Sequence, residues 1–176
     1  SAQGAHEVRG KTLGIIGYGH IGMQVSVLAE GLGLNCLYYD VENKLPLGNA
    51  KGCSTLSSLL KESDIVSLHV PDTPATRNMI STNEFNLMKR GSVLINASRG
   101  TVVDIGALTD ALKSNHLKGA AIDVFEKEPM DEKSGSLFQG LTNLILTPHI
   151  AGVTEESNEK VSDMIALKVD QHLSSI

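Results

Sequence analysis

Short apolar runs separated by amphipathic stretches make up most of this chain. The runs have the length of buried strands, and Gly, Pro or polar residues bound them. They cover residues 12–16, 35–39, 50–53, 65–70, 93–97, 119–124 and 144–146. We predict a strand at each of them.

The stretches between the runs carry apolar residues at helical spacing. In the last stretch Val161 and Ile165 are four residues apart, which places them on one face of a helix. Ser81 and Glu84 have the spacing of a capping box, which predicts a short helix directly after Ser81. We predict the remaining helices over 21–32, 54–62 (with Ser54 as N-cap), 104–114 and 154–173, and loops over 41–48 and 125–140.

Alternating strands and helices are typical of a parallel sheet with helices on both faces and right-handed crossovers. The prediction is an α/β fold, a doubly wound parallel sheet of Rossmann-like type, in a single domain over 1–176. Within it, 1–10 is an incoming linker and 154–176 an outgoing crossover helix. Ligands bind such sheets at the carboxyl ends of the strands.

The first predicted strand runs into its helix through residues 17–22, a G-x-G-x-x-G pattern. Gly17 permits the tight turn, Gly19 lets a pyrophosphate approach the backbone, and Gly22 lets the helix pack against the strand. Free N–H groups at the helix start, at His20 and Ile21, favour a phosphate. The pattern alone also fits an ordinary glycine-rich turn, but between a strand and a helix it predicts a dinucleotide site.

Asp40 ends the second predicted strand, about 20 residues after the glycines, where this fingerprint places an acid. A carboxylate there accepts hydrogen bonds from ribose hydroxyls and repels a 2′-phosphate, so it predicts NAD rather than NADP. The alternative is that Asp40 is a solvated turn residue.

The composition narrows the function classes. With 176 residues, 41% of them hydrophobic, the chain can form one globular domain with a sizeable core. A net charge of −5 gives no electrostatic basis for binding nucleic acid or an anionic membrane. Cys36 and Cys53 are predicted to be buried free thiols, and the scattered histidines predict no metal site. Without a long apolar run or a secretory signal, we expect a cytoplasmic protein.

Residues with catalytic chemistry follow the later strands. Arg99 carries a planar fork of donors that suits a carboxylate or a carbonyl. His149 can exchange a proton with an alcohol near neutral pH as hydride moves. Glu128 could hold one imidazole nitrogen. Spacing alone leaves open that all three are solvated or hydrogen-bonded loop residues.

Four segments in order resemble the signature of the D-isomer-specific 2-hydroxyacid dehydrogenases. They read GKTLGIIGYGHIG (10–22), INASRGTVVD (95–104), AAIDVFEKEP (120–129) and LTPHI (146–150). The resemblance runs over nearly the whole chain. It implies NAD-dependent oxidation of a small 2-hydroxy acid, and segment 39–50 is most similar to the members that oxidise D-3-phosphoglycerate.

The resemblance also implies roles for individual residues. Arg99, Glu128 and His149 match the family's substrate anchor, orienting carboxylate and acid/base. Beside the three glycines, the positions that line the cofactor site in the family are His20, Ile21, Asp40, Val70, Ala97, Ser98, Arg99, Asp123, His149 and Gly152.

The chain departs from the family pattern in two ways. The segments that form the substrate-binding domain in the family are not found in this sequence, so we expect an excised cofactor domain. Such a domain should bind NAD but catalyse little turnover. Because family members commonly form homo-oligomers through this domain, we also expect a homo-oligomer. Residues 149–154 read HIAGVT where the family commonly has HIGGST. Alternatives are another 2-hydroxyacid dehydrogenase, such as a glyoxylate or hydroxypyruvate reductase, and a dinucleotide-sensing corepressor of the C-terminal binding protein type.

Overall fold

A seven-stranded sheet forms the centre of the computed structural model, which describes residues 4–175. All of its neighbouring strands pair in parallel. The strands are β1 (Thr12–Ile16), β2 (Asn35–Tyr39), β3 (Lys51–Gly52), β4 (Ile65–Leu68), β5 (Ser92–Asn96), β6 (Leu117–Ile122) and β7 (Leu144–Leu146). Their order is β3-β2-β1-β4-β5-β6-β7, so the direction of winding reverses between β1 and β4. The predicted doubly wound parallel sheet is therefore confirmed.

Within residues 4–175, six α-helices connect or follow these strands. They are α1 (His20–Gly31), α2 (Leu56–Glu62), α3 (Thr82–Leu87), α4 (Ile105–Lys113), α5 (Glu132–Ser136) and α6 (Glu155–Leu173). The capping box of Ser81 and Glu84 is present at the start of α3. Asp104 caps α4 by accepting a hydrogen bond from the Ala107 N–H at 3.0 Å.

Two local predictions are wrong, and one short turn was not predicted. The N-cap of α2 is Thr55 rather than Ser54, because the Thr55 hydroxyl accepts the Ser58 N–H at 3.1 Å. The predicted loop 125–140 contains α5, capped by Asp131, which accepts the Ser134 N–H at 2.9 Å. The segment after Arg99 forms a 3₁₀ turn over Gly100–Val102 that the apolar pattern does not show.

The two faces of the sheet have separate cores. The α1 face buries Leu13 and Ile15 of β1, and the opposite face, covered by α2, α3 and α4, buries Ile16. This alternation is the period-2 pattern of a strand buried on both sides. Cys36 is a buried free thiol, as predicted, but Cys53, also predicted to be buried, is only half-buried because it directly follows the edge strand β3.

Helix α6 begins one residue after the predicted start, with Thr154 as its N-cap, and its apolar side chains lie open to solvent. Val161, Ile165, Val169 and Leu173 are each more than half exposed. The predicted linker 1–10 contains no helix or strand from residue 4 onward, and its first three residues lie outside the described ones. Between residues 4 and 175, no helix combines the length and apolar character needed to cross a membrane.

Candidate active site

The glycine turn between β1 and α1 leaves no room for side chains at two of its glycines. Gly17 has a φ of +89°, and a Cβ there would lie 2.4 Å from the His69 carbonyl oxygen. A Cβ on Gly22 would lie 2.2 Å from the Gly17 carbonyl oxygen. At Gly19 a Cβ would meet nothing within 4 Å, so this backbone faces open space. The turn is therefore tightly packed at Gly17 and Gly22 and open at Gly19, as the approach of a pyrophosphate requires.

The N-terminus of α1 faces this open space. Its N-cap is Gly19, and no side chain of residues 4–175 caps it by a hydrogen bond. The first turn also carries no acidic residue. The free N–H groups and the positive end of the helix dipole remain available for an anion, so this helix start fits the phosphates of NAD.

A cavity of about 600 Å³ extends from the glycine turn along the ends of β2 and β4. Gly17, Gly19, Asp40 and Val70 line it, together with apolar side chains such as Met79. This arrangement offers a polar edge for a ribose and an apolar wall for a planar base.

The Asp40 carboxylate is held in place by backbone donors. Its Oδ2 accepts the Tyr18 N–H at 2.7 Å, and its Oδ1 accepts the Glu42 N–H at 2.9 Å. Each oxygen keeps acceptor capacity, because an ionised carboxylate has about four lone-pair sites. Asp40 is therefore oriented into the cavity and can still accept ribose hydroxyls.

Other predicted cofactor residues lie around the same edge of the sheet. His20, Ile21, Ala97 and Gly152 are exposed. Ser98 is buried, and its hydroxyl donates to Asn96 Oδ1 at 2.9 Å, so it stabilises the end of β5. The cofactor roles of these residues remain predictions.

Glu128 and His149 form a hydrogen-bonded pair. His149 Nδ1 lies 2.7 Å from Glu128 Oε2, and the Phe125 N–H donates to Glu128 Oε1 at 2.8 Å. The hydrogen bond from His149, together with that from Phe125, lowers the pKa of Glu128 below its ordinary 4.5. The carboxylate therefore stays ionised at neutral pH and directs the Nδ1 proton toward itself, which leaves His149 Nε2 for chemistry.

Arg99 lines a small cavity together with the Glu128–His149 pair. About 180 Å³ of space is lined by Arg99, Glu128 and His149, together with Asp72 and Thr101. The Arg99 Nη1 donates to the Ser98 carbonyl at 2.6 Å, while the side chain is exposed at the mouth. A guanidinium, whose donors suit a carboxylate, and an imidazole, which suits proton transfer, thus line one space.

Asp123 has a role that the sequence does not reveal. Its carboxylate accepts the Thr147 hydroxyl at 2.5 Å, the Ile150 N–H at 3.0 Å and the Ala151 N–H at 2.9 Å. Burial acts to raise the pKa of Asp123, but these hydrogen bonds outweigh it and the pKa lies below the ordinary 3.8. Asp123 therefore fastens the loop that carries His149.

The backbone conformation of His149 is consistent with the hydrogen bonds between its loop and Asp123. Its φ is +56°, in the left-handed region that non-glycine residues seldom occupy. The following N–H groups of Ile150 and Ala151 both point at Asp123, as in an anion-binding nest. The only sequence signal for this contact is the position of Asp123 at the end of a strand beside the last strand.

Comparisons with known proteins agree with this geometry. A family model described as D-isomer specific 2-hydroxyacid dehydrogenase, NAD binding domain, matches residues 1–151. D-3-phosphoglycerate dehydrogenase of Escherichia coli strain K12 is 57% identical over 171 residues, which cover 96% of this chain and 42% of that protein. The chain thus spans less than half the length of this relative.

Solved structures share the fold. A D-lactate dehydrogenase from Aquifex aeolicus complexed with NAD and lactic acid matches with a TM-score of 0.84 and 35% identity, over 94% of this chain and 54% of that one. An acyclic imino acid reductase in complex with NADPH and D-Arg also has a TM-score of 0.84, with 30% identity over 97% of this chain and 53% of that one. Both dinucleotides therefore occur in structures that share this architecture.

Proposed function

The chain belongs to the D-isomer-specific 2-hydroxyacid dehydrogenases and carries their NAD-binding domain, and we propose that it is the cofactor-binding and catalytic half of a D-3-phosphoglycerate dehydrogenase. The proposed reaction is oxidation of D-3-phosphoglycerate to 3-phosphohydroxypyruvate, the first step of serine biosynthesis. The observation that carries it is the convergence of Arg99 with the Glu128–His149 pair on one cavity.

Each of the three side chains has a distinct task in this reaction. Bound NAD, held by the glycine turn and Asp40, would supply the acceptor for the hydride from the substrate carbon. His149 Nε2 takes the hydroxyl proton as the carbonyl forms. Glu128 orients the imidazole and stabilises the positive charge that it gains. Arg99 binds the substrate carboxylate and keeps the reacting carbon beside the nicotinamide position.

The choice of substrate rests on the relatives. The E. coli protein named D-3-phosphoglycerate dehydrogenase is 57% identical, whereas the D-lactate dehydrogenase structure is 35% identical. This difference favours phosphoglycerate over the alternative hydroxy acids. The exposed Arg99–Glu128–His149 cavity favours an enzyme over a corepressor, since a binding module needs no acid/base pair.

Further properties of the whole protein belong to the proposal. A substrate-binding domain outside this chain would complete the pocket, so residues 1–176 alone would bind NAD and turn over slowly. Two free cysteines support a reducing, cytoplasmic location. The exposed apolar residues of α6 support an assembly with a second copy of the chain.

Substitution of His149 tests the proposed chemistry. In the full-length protein we expect His149→Gln to lower kcat by about 10²–10⁴-fold, because the acid/base is lost. NADH affinity, measured by calorimetric titration, should fall much less. His6→Gln, at an exposed position before β1, is the matched control and should keep the kcat of the wild type. A His149→Gln enzyme with normal kcat would contradict the proposal.

A further inference from the structure

The loop of residues 41–48, which follows β2, forms one wall of the large cavity and is held by two tyrosines. The Tyr38 hydroxyl donates to the Lys44 carbonyl at 2.7 Å, and the Leu47 N–H donates to the Tyr18 hydroxyl at 3.2 Å. The two phenol rings stack with centroids 3.9 Å apart. Because Tyr18 and Tyr38 belong to the buried core, the loop keeps one shape beside Asp40.

Glu42 and Lys44 of this loop form an ion pair at the cavity wall. Lys44 Nζ donates to Glu42 Oε2, and both residues line the cavity together with Asp40. The Glu42 backbone N–H is the donor to Asp40, so the pair and the ribose-binding carboxylate are linked. The Lys44 side chain is 26% exposed and that of Glu42 is 71% exposed, so the stem of the lysine is the better covered of the two.

The charges of Asp40, Glu42 and Lys44 affect one another. The hydrogen bond to Glu42 raises the pKa of Lys44, and the nearby charges of Glu42 and Asp40 raise it further. Lys44 therefore remains a cation whose charge is already satisfied by carboxylates. Within residues 4–175 the cavity lining includes this one lysine and no arginine.

We propose that the Glu42–Lys44 pair is a second determinant of cofactor choice, acting with Asp40 against a 2′-phosphate. Glu42 pairs with Lys44 and so occupies the cation that could otherwise bind the 2′-phosphate of NADPH. Because both dinucleotides occur in structures of this fold, the choice depends on such local side chains. The inference rests on the proposed NAD-dependent function and assigns Glu42 and Lys44 a specificity role within it.

The test is calorimetric titration of the full-length protein with NADH and with NADPH. The quantity compared is the ratio of the NADPH Kd to the NADH Kd. Glu42→Gln frees the ammonium of Lys44 to donate to a phosphate, so we expect the ratio to fall about tenfold, as one charge-assisted hydrogen bond gives. Glu42→Gln/Lys44→Met should return the ratio toward the wild-type value.

The control and the contrary outcomes separate this inference from the proposed function. Glu159→Gln removes the same charge from the exposed surface of α6 and should leave the ratio unchanged. An unchanged ratio in Glu42→Gln, or a lowered ratio that persists in the double variant, would overturn the role of the pair. Failure of the wild type to bind NADH would instead overturn the proposed function and the inference with it.

Discussion

At the scale of single residues, Gly100 sets the contact between the two loops that carry Arg99 and Glu128. It is buried, and a Cβ on it would lie 1.9 Å from the carbonyl carbon and 2.2 Å from the carbonyl oxygen of Phe125. Backbone therefore packs directly on backbone at this point. The close packing at this glycine brings the two loops together, and the side chains of Arg99 and Glu128 line one small cavity.

This contact predicts the effect of Gly100→Ala. The added methyl group has to displace the Phe125 backbone, which we expect to cost about 1–3 kcal/mol of stability in urea unfolding. A shift of the Glu128 loop by about 1 Å would lower kcat about 10²-fold in the full-length protein. Gly31→Ala is the control, because its Cβ would meet nothing within 4 Å. Equal stability and equal kcat for both variants would argue against this packing role.

The residues of the candidate site could be predicted from the sequence only in part. Arg99, Glu128 and His149 stand out by type, position and resemblance, but Glu128 and His149 are 21 residues apart and only the fold brings them to 2.7 Å. The part that Gly100 and Asp123 play depends on contacts between loops. No local pattern encodes such contacts, because each one joins segments that are distant along the chain.

At the scale of elements, the loop after β7 depends on Asp123 at the end of β6. Three donors from residues 147–151 converge on its carboxylate. Those hydrogen bonds, which include a charged acceptor, hold His149 in its left-handed conformation. The position of the proposed acid/base thus follows from a strand-end aspartate rather than from its own packing.

We expect Asp123→Asn to destabilise the chain by about 1.5–3 kcal/mol at pH 7, the range for hydrogen bonds to a charged group. The folded-state pKa of Asp123 lies below 3.8. Its contribution is therefore fully present above the ordinary pKa and is lost as the pH falls through the lowered value. Urea unfolding of both proteins from pH 7 down to the lowest pH of reversible folding measures the difference.

The difference between wild type and Asp123→Asn should shrink toward the acid end of that series. Asp110→Asn, which alters an exposed carboxylate on α4, is the control and should change stability little at any pH. A difference that stays constant with pH would show that the Asp123 charge is not what holds the loop.

Most of the strands and helices could be predicted from the apolar pattern. β1, β2 and β7 have the predicted bounds because each is an apolar run closed by a turn or a polar residue. Helix α5 was missed because Glu132–Ser136 is polar and contains Gly135, so it lacks an apolar stripe. Its formation depends on the Asp131 cap, a signal that also fits an ordinary turn.

At the scale of the whole molecule, the structure is one doubly wound sheet with cavities along one of its edges. The glycine turn, Asp40 and the Arg99–Glu128–His149 cavity lie along the carboxyl edge of the sheet, where doubly wound folds bind ligands. The apolar face of α6 is exposed, although its four-residue spacing correctly predicted the helix. Spacing reports which residues share a face, and it does not report what covers that face.

Substrate discrimination by the full-length protein tests the central claim most directly. NADH formation would be followed with D-3-phosphoglycerate, D-glycerate and D-lactate as parallel substrates. We expect kcat/KM to be highest for D-3-phosphoglycerate by at least about tenfold, and to fall by about 10²–10⁴-fold for it in His149→Gln. A higher kcat/KM for D-lactate or D-glycerate, or no NAD-dependent oxidation of D-3-phosphoglycerate, would contradict the assignment.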